Sequence, residues 1–114
     1  MHWHCYRGKM DGPTYGADAL RRDLSSPVPP LVIRDWLRKP VKPSFVSSDP
    51  KAVLEWLSTQ WAELQAGARP AVPPSLERAK DDLFAGSDVC WGWWTVGAGS
   101  YVSIAAVGTS ERCH

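Results

Sequence analysis

Asparagine is absent from this 114-residue chain, and isoleucine occurs only at positions 33 and 104. No apolar run approaches the roughly 20 residues that a membrane-spanning helix requires. The missing apolar run excludes a helical span, so no membrane association is expected. The missing asparagine, beside abundant Ala, Arg, Gly and Pro, suits a GC-rich bacterial or phage genome and carries no chemistry. Met1-His2-Trp3-His4-Cys5-Tyr6-Arg7 lacks the apolar stretch of a secretory signal, so a cytoplasmic location is expected. Cysteine is sparse and odd in number: Cys5, Cys90 and Cys113 lie far apart, which argues against a disulfide framework and for reduced thiols. No phosphate-binding P-loop, dinucleotide fingerprint or H-E-x-x-H zinc motif occurs.

Charge of one sign is also lacking overall. The net charge of +1 argues against a strongly basic nucleic-acid binder. The distribution is uneven: residues 1–51 carry nine Lys/Arg against five Asp/Glu, and residues 52–114 carry four against seven. The length suits one domain, and 44% hydrophobic with 22% charged residues is a globular composition. Seven tryptophans stand out: Trp3, Trp36, Trp56, Trp61, Trp91, Trp93 and Trp94. Each buries on the order of 150–250 Å², so most are expected in the core, with one or two available to a partner.

Ten prolines cut the chain into short elements. His2–Arg7 reads as a short strand, Gly8–Gly16 as a loop and Ala17–Leu24 as a short helix. Leu31–Arg38 has apolar positions that fit a helical face or a buried strand, with helix preferred. Ser44–Ser47 reads as a brief strand or extended linker. Asp49 can cap a helix that starts at Pro50 and ends before Gly67, with Val53, Leu54, Leu57, Trp61 and Leu64 forming its apolar stripe. Arg69–Pro73 reads as a linker. Pro74–Ala85 reads as a further helix, with Leu76, Ala79 and Leu83 facing inward. Asp88–Val96 and Tyr101–Thr109, joined by Gly97-Ala98-Gly99-Ser100, carry the pattern of a β-hairpin. The expectation is one α+β domain over residues 1–114, an antiparallel sheet with a C-terminal hairpin packed on three or four helices.

Alternation divides the hairpin into two faces. Val89, Trp91, Trp93, Thr95, Val102, Ile104 and Ala106 form the expected core face. Cys90, Gly92, Trp94, Val96, Tyr101, Ser103, Ala105 and Val107 form the other, an uncharged floor of small residues below Trp94 and Tyr101. The expected pairs are Val96 with Tyr101, Trp94 with Ser103, Trp93 with Ile104, Gly92 with Ala105 and Trp91 with Ala106. This second face is either covered by another element or exposed for binding. The binding residues named by this reading are Trp94, Tyr101, Ser103 and Gly92, acting on a protein partner.

The other chemistry is thin. Arg34, Arg38, Lys39 and Lys42 surround Trp36 and form the alternative, a nucleic-acid-binding segment resembling the second helix of a helix-turn-helix. The structural alternative there is a solvated basic face with Trp36 in the core. His2 and His4 share one side of a strand and, with Cys5, Cys113 and His114, supply soft metal ligands. They lack the paired spacing of a zinc site, so no metal and no cofactor are expected, and a metal-binding or enzymatic site built from the chain termini stands as the last alternative. Asp81-Asp82 are consecutive on a helix, so their side chains diverge, and no catalytic residue is expected. The size fits an accessory, immunity-type or phage-encoded inhibitor protein that works through an apolar surface.

Overall fold

Residues 1–69, 73–95 and 99–110 are described by a computed structural model of the chain. The aromatic start of the sequence forms β1, His2–Asp11, which runs four residues beyond the expected strand. Gly8 reads as a loop signal in sequence, but here it makes room. A Cβ at Gly8 would lie 2.7 Å from the Pro29 ring and 3.4 Å from the Trp36 indole. Two short helices follow, α1 (Gly12–Tyr15) and α2 (Asp18–Arg22). Asp11 caps α1 by accepting from the Thr14 N–H at 2.8 Å, so part of the expected Gly8–Gly16 loop is strand and helix.

Ile33–Arg38 is a 3₁₀ helix. The Asp35 N–H donates to Val32 O and the Lys39 N–H to Trp36 O, both three-residue turns. Pro30 and Pro40 leave this segment too short to settle into an α-helix. The expected helix is therefore present in tighter form. β2 is Phe45–Ser47. The long helix α3, Pro50–Leu64, begins as the sequence indicates, with Asp49 accepting from the Lys51 N–H. β3 is Ala68–Arg69, overlapping the expected linker at Arg69, and residues 70–72 lie outside the described residues. α4, Leu76–Phe84, is capped by Ser75. β4 (Val89–Thr95) and β5 (Ser100–Thr109) complete the chain's elements.

The five strands form one antiparallel sheet in the order β2-β1-β5-β4-β3. Its central pair, β1 with β5, is in register from His2↔Thr109 to Asp11↔Ser100. Both edge strands are very short, which limits edge-to-edge association. The architecture is thus a small α+β fold, with helices on both faces of the sheet.

The two faces carry separate cores. On one, Trp3, Cys5, Val89, Trp93, Val102, Ile104 and Ala106 pack against Val53 and Leu57 of α3 and Ala79 and Leu83 of α4. On the other, Tyr6, Ala105 and Val107 pack under Trp36. Tyr6 and Trp36 stack with centroids 4.8 Å apart and planes 6° from parallel. Trp61 and Leu76 are less buried than their helical positions suggest; Trp61 is half-buried and Leu76 is 37% exposed. Trp61 lies at the rim and meets Trp93 edge to face at 5.2 Å. Among the described residues the buried Trp93 indole N–H meets no acceptor.

Burial ranks two substitutions. Leu57 is fully buried, and Leu57→Ala should cost about 2–5 kcal/mol. Trp61→Ala should cost less than the roughly 3–5 kcal/mol of a fully buried tryptophan. Denaturant melts of both variants check the order, and a Leu57→Ala protein as stable as the parent would overturn the assignment of this core.

Candidate functional site: the aromatic face of the hairpin

The observed hairpin register pairs Trp94 with Tyr101, Trp93 with Val102, Gly92 with Ser103 and Trp91 with Ile104. This is two residues away from the expected pairing, because Ser100 is drawn into β5 opposite Asp11 of β1. A shift of two preserves parity, so every described side chain keeps its expected face. Val96 and most of the turn lie outside the described residues.

The second face is neither wholly covered nor wholly open. The 3₁₀ segment covers Ala105 and Val107, which are fully buried. Beyond it, Cys90, Gly92, Trp94, Tyr101 and Ser103 remain accessible to differing degrees. The four residues named from sequence, Trp94, Tyr101, Ser103 and Gly92, are therefore together in the uncovered part. Of the seven tryptophans, only Trp94 is classed as exposed, at 37%.

Tyr15 of α1 joins them, a residue the sequence reading did not assign. Its ring lies 5.0 Å from Trp94 and 4.6 Å from Tyr101, and Trp94 and Tyr101 are 5.3 Å apart, centroid to centroid. All three pairs are steeply inclined, between 47° and 70°. Edge-to-face contact of this kind favours aromatic pairs beyond their buried area. At these separations the rings touch one another, so no cation fits between them. The cluster presents a closed aromatic ridge.

Two features hold the ridge in place. The phenol of Tyr101 lies across Gly92, and a Cβ at position 92 would collide with the Tyr101 hydroxyl. Burial, then the neighbouring Tyr15 and Cys90, push the Tyr101 phenol above its ordinary pKa, so it stays neutral at physiological pH. The second feature is Arg21, which is buried. Its Nε donates to Pro29 O at 3.1 Å, Nη1 to Tyr15 O at 3.0 Å and Nη2 to Pro30 O at 3.1 Å. Its guanidinium carbon also stands 5.1 Å from the Tyr15 ring centre. Arginine can satisfy three carbonyls at once through its planar fork, which ties α1 and the Pro-rich segment together. No motif marked Arg21, because its partners are main-chain carbonyls with no sequence signature.

The basic segment is arranged differently from a single exposed stripe. Lys39 is buried and donates to Val28 O at 2.6 Å, and desolvation lowers its pKa. Arg34 is bound to Asp88 at 3.0 Å and to Gly108 O at 3.1 Å. Arg38 and Lys42 are exposed. Trp36 is in the core, 3% exposed.

A groove of about 470 Å³ lies between the start of α4 and β4, lined in part by Ser75, Arg78, Asp82 and Asp88. Asp88 is engaged there, accepting from the Gly108 N–H at 2.8 Å as well as from Arg34. The groove shares Cys90 and Gly92 with the aromatic face. Cys5 and Cys90 are free thiols on opposite sides of the sheet; Cys113 lies outside the described residues. Burial pushes the Cys5 thiol up to about 12. No protein-family model, curated protein or solved structure matches this chain.

Two outcomes follow from this geometry. Arg21→Ala should lower stability by about 2–4 kcal/mol, since hydrogen bonds from a charged donor contribute roughly 1.5–3 kcal/mol and buried carbonyls are left unpaired. It should also increase hydrogen exchange across 12–30. Brief alkylation at pH 8, read by peptide mass mapping, should modify Cys90 and spare Cys5 until the protein is unfolded. Equal labelling of both would contradict the burial of Cys5.

Proposed function

We propose that the chain is a small non-enzymatic binding protein that engages a protein partner through the ridge of Tyr15, Trp94 and Tyr101 and the small-residue floor of Gly92 and Ser103. The observation that carries this reading is Trp94: a 37%-exposed residue on a face to which the described hairpin residues bring no charge, in a chain whose six other tryptophans are buried or half-buried. Its ring neighbours fix it without covering it, so little conformational entropy is lost on binding. Exposed, rigid Trp and Tyr side chains are the residue types that most often dominate binding energy. The basic segment supports the nucleic-acid alternative less well, because Lys39 and Arg34 are already held by Val28 O and Asp88.

The test separates binding from folding. Trp94→Ala should lose partner binding by at least about 30-fold, the 2 kcal/mol or more expected of a dominant contact residue. Its melting temperature should fall far less than for a buried tryptophan. A photo-crosslinking residue at exposed Gly16, beside Tyr15, should trap a defined protein from cells of the source organism, and the same residue at exposed Glu55 on α3 should not. Acrylamide should quench Trp94 in the parent. A large stability loss in Trp94→Ala, or identical products from positions 16 and 55, would sink the binding-surface reading.

A further inference from the structure

A second cluster lies on the same face of the sheet, at the start of β1. Residues two apart on a strand share a face, so His2 and His4 stand side by side there. Their Nε2 atoms are 3.0 Å apart, with ring centroids at 4.9 Å and planes inclined by 34°. His4 is followed by Tyr6, 6.5 Å away between centroids, and Tyr6 is stacked on the buried Trp36. The pair therefore rests on a strand central to the sheet, with one ring backed by a packed aromatic column. Both imidazoles are half-buried.

The separation is that of a hydrogen bond between the rings, and it also matches the spacing of two nitrogens on one ion. Two imidazole nitrogens bound to one ion at about 2.0–2.1 Å stand about 2.9 Å apart in adjacent tetragonal or octahedral positions and about 3.3–3.4 Å apart in a tetrahedron. The observed 3.0 Å lies close to the first value. Imidazole pairs with 90° geometry suit Ni(II) and Cu(II), and both lie late in the order of divalent first-row ions by affinity for nitrogen. Cys5, which follows His4 directly, faces the opposite core and contributes nothing. Among the described residues no group of three or more His, Cys, Asp or Glu could hold an ion.

We propose that His2 and His4 form a two-imidazole chelate for a late divalent transition-metal ion, Ni(II) or Cu(II), bound through both Nε2 atoms in adjacent positions. Binding exchanges the hydrogen bond between the rings for two metal–nitrogen bonds. The proton held between the two Nε2 atoms is given up as the metal takes both lone pairs, passing to Nδ1 of its own ring or, where that nitrogen already carries a proton, to water. This site is separate from the aromatic ridge and does not depend on its function.

Ni(II) is the probe, since the free thiols would reduce Cu(II). Untagged protein should bind one Ni(II) by calorimetry. His2→Ala and His4→Ala should each weaken binding by at least about tenfold, the gain from joining two ligands being lost. In the parent, paramagnetic broadening should reach the His2 and His4 ring signals first, a readout that needs no variant to fold. Unchanged affinity in His4→Ala would place the ion on the Met1 amine and His2 and overturn the chelate. Broadening that begins at His114 or Cys113 would overturn it too.

Discussion

The ladder between β1 and β5 is the constraint on which the rest depends. It is the central pair of the sheet, ten residues long, and it joins segments at least 89 residues apart, the separation of Asp11 and Ser100. Closing such a loop is entropically costly but grows only slowly with length. The return comes from burial on both sides at once. Cys5, Ile104 and Ala106 face α3 and α4, while Tyr6, Ala105 and Val107 face Trp36. A strand pair buried on both faces cannot slip by one residue without exchanging the two cores.

Size differences along these strands then decide where the second layer can sit. Ala105 and Gly8 are small, so the Tyr6–Trp36 stack can lie flat on the sheet. Gly92 is small, so Tyr101 can fold across β4 rather than stand upright. Large rings over small residues recur at both places. In the first the 3₁₀ segment seals the stack; in the second Tyr15 arrives, held from behind by Arg21. The exposed ridge is thus the end of the second core that the covering segment leaves open.

Much of this was legible in the sequence, and the reasons are local. The cap Asp49, the following Pro50 and the apolar stripe defined α3, and alternation assigned the described hairpin residues to their faces. Register was read two residues off because it depends on Ser100 meeting Asp11, a contact between distant segments. The length of β1 was underestimated for a similar reason: Gly8 signals a turn locally but accommodates Trp36 globally. Trp94, Tyr101, Ser103 and Gly92 were placed together on one face by alternation. Tyr15 and Arg21 were not, since a four-residue helix and a carbonyl-bound guanidinium leave no periodic trace. The basic residues do not form one exposed stripe, because Lys39 turns inward to Val28 O, which sequence spacing does not show.

The seat of Tyr101 on Gly92 also bears on how this chain can diverge. A methyl at position 92 and a phenol at position 101 claim the same space, so neither residue can change freely while the other is kept. Contacting residues of this kind couple by about 0.5–3 kcal/mol. Substitution at 92 is tolerated most readily after 101 has become small, and that order also dismantles the ridge. Lineages that keep the ridge are therefore confined to glycine at 92, and a descendant that has lost Tyr101 regains freedom there only by giving up the surface.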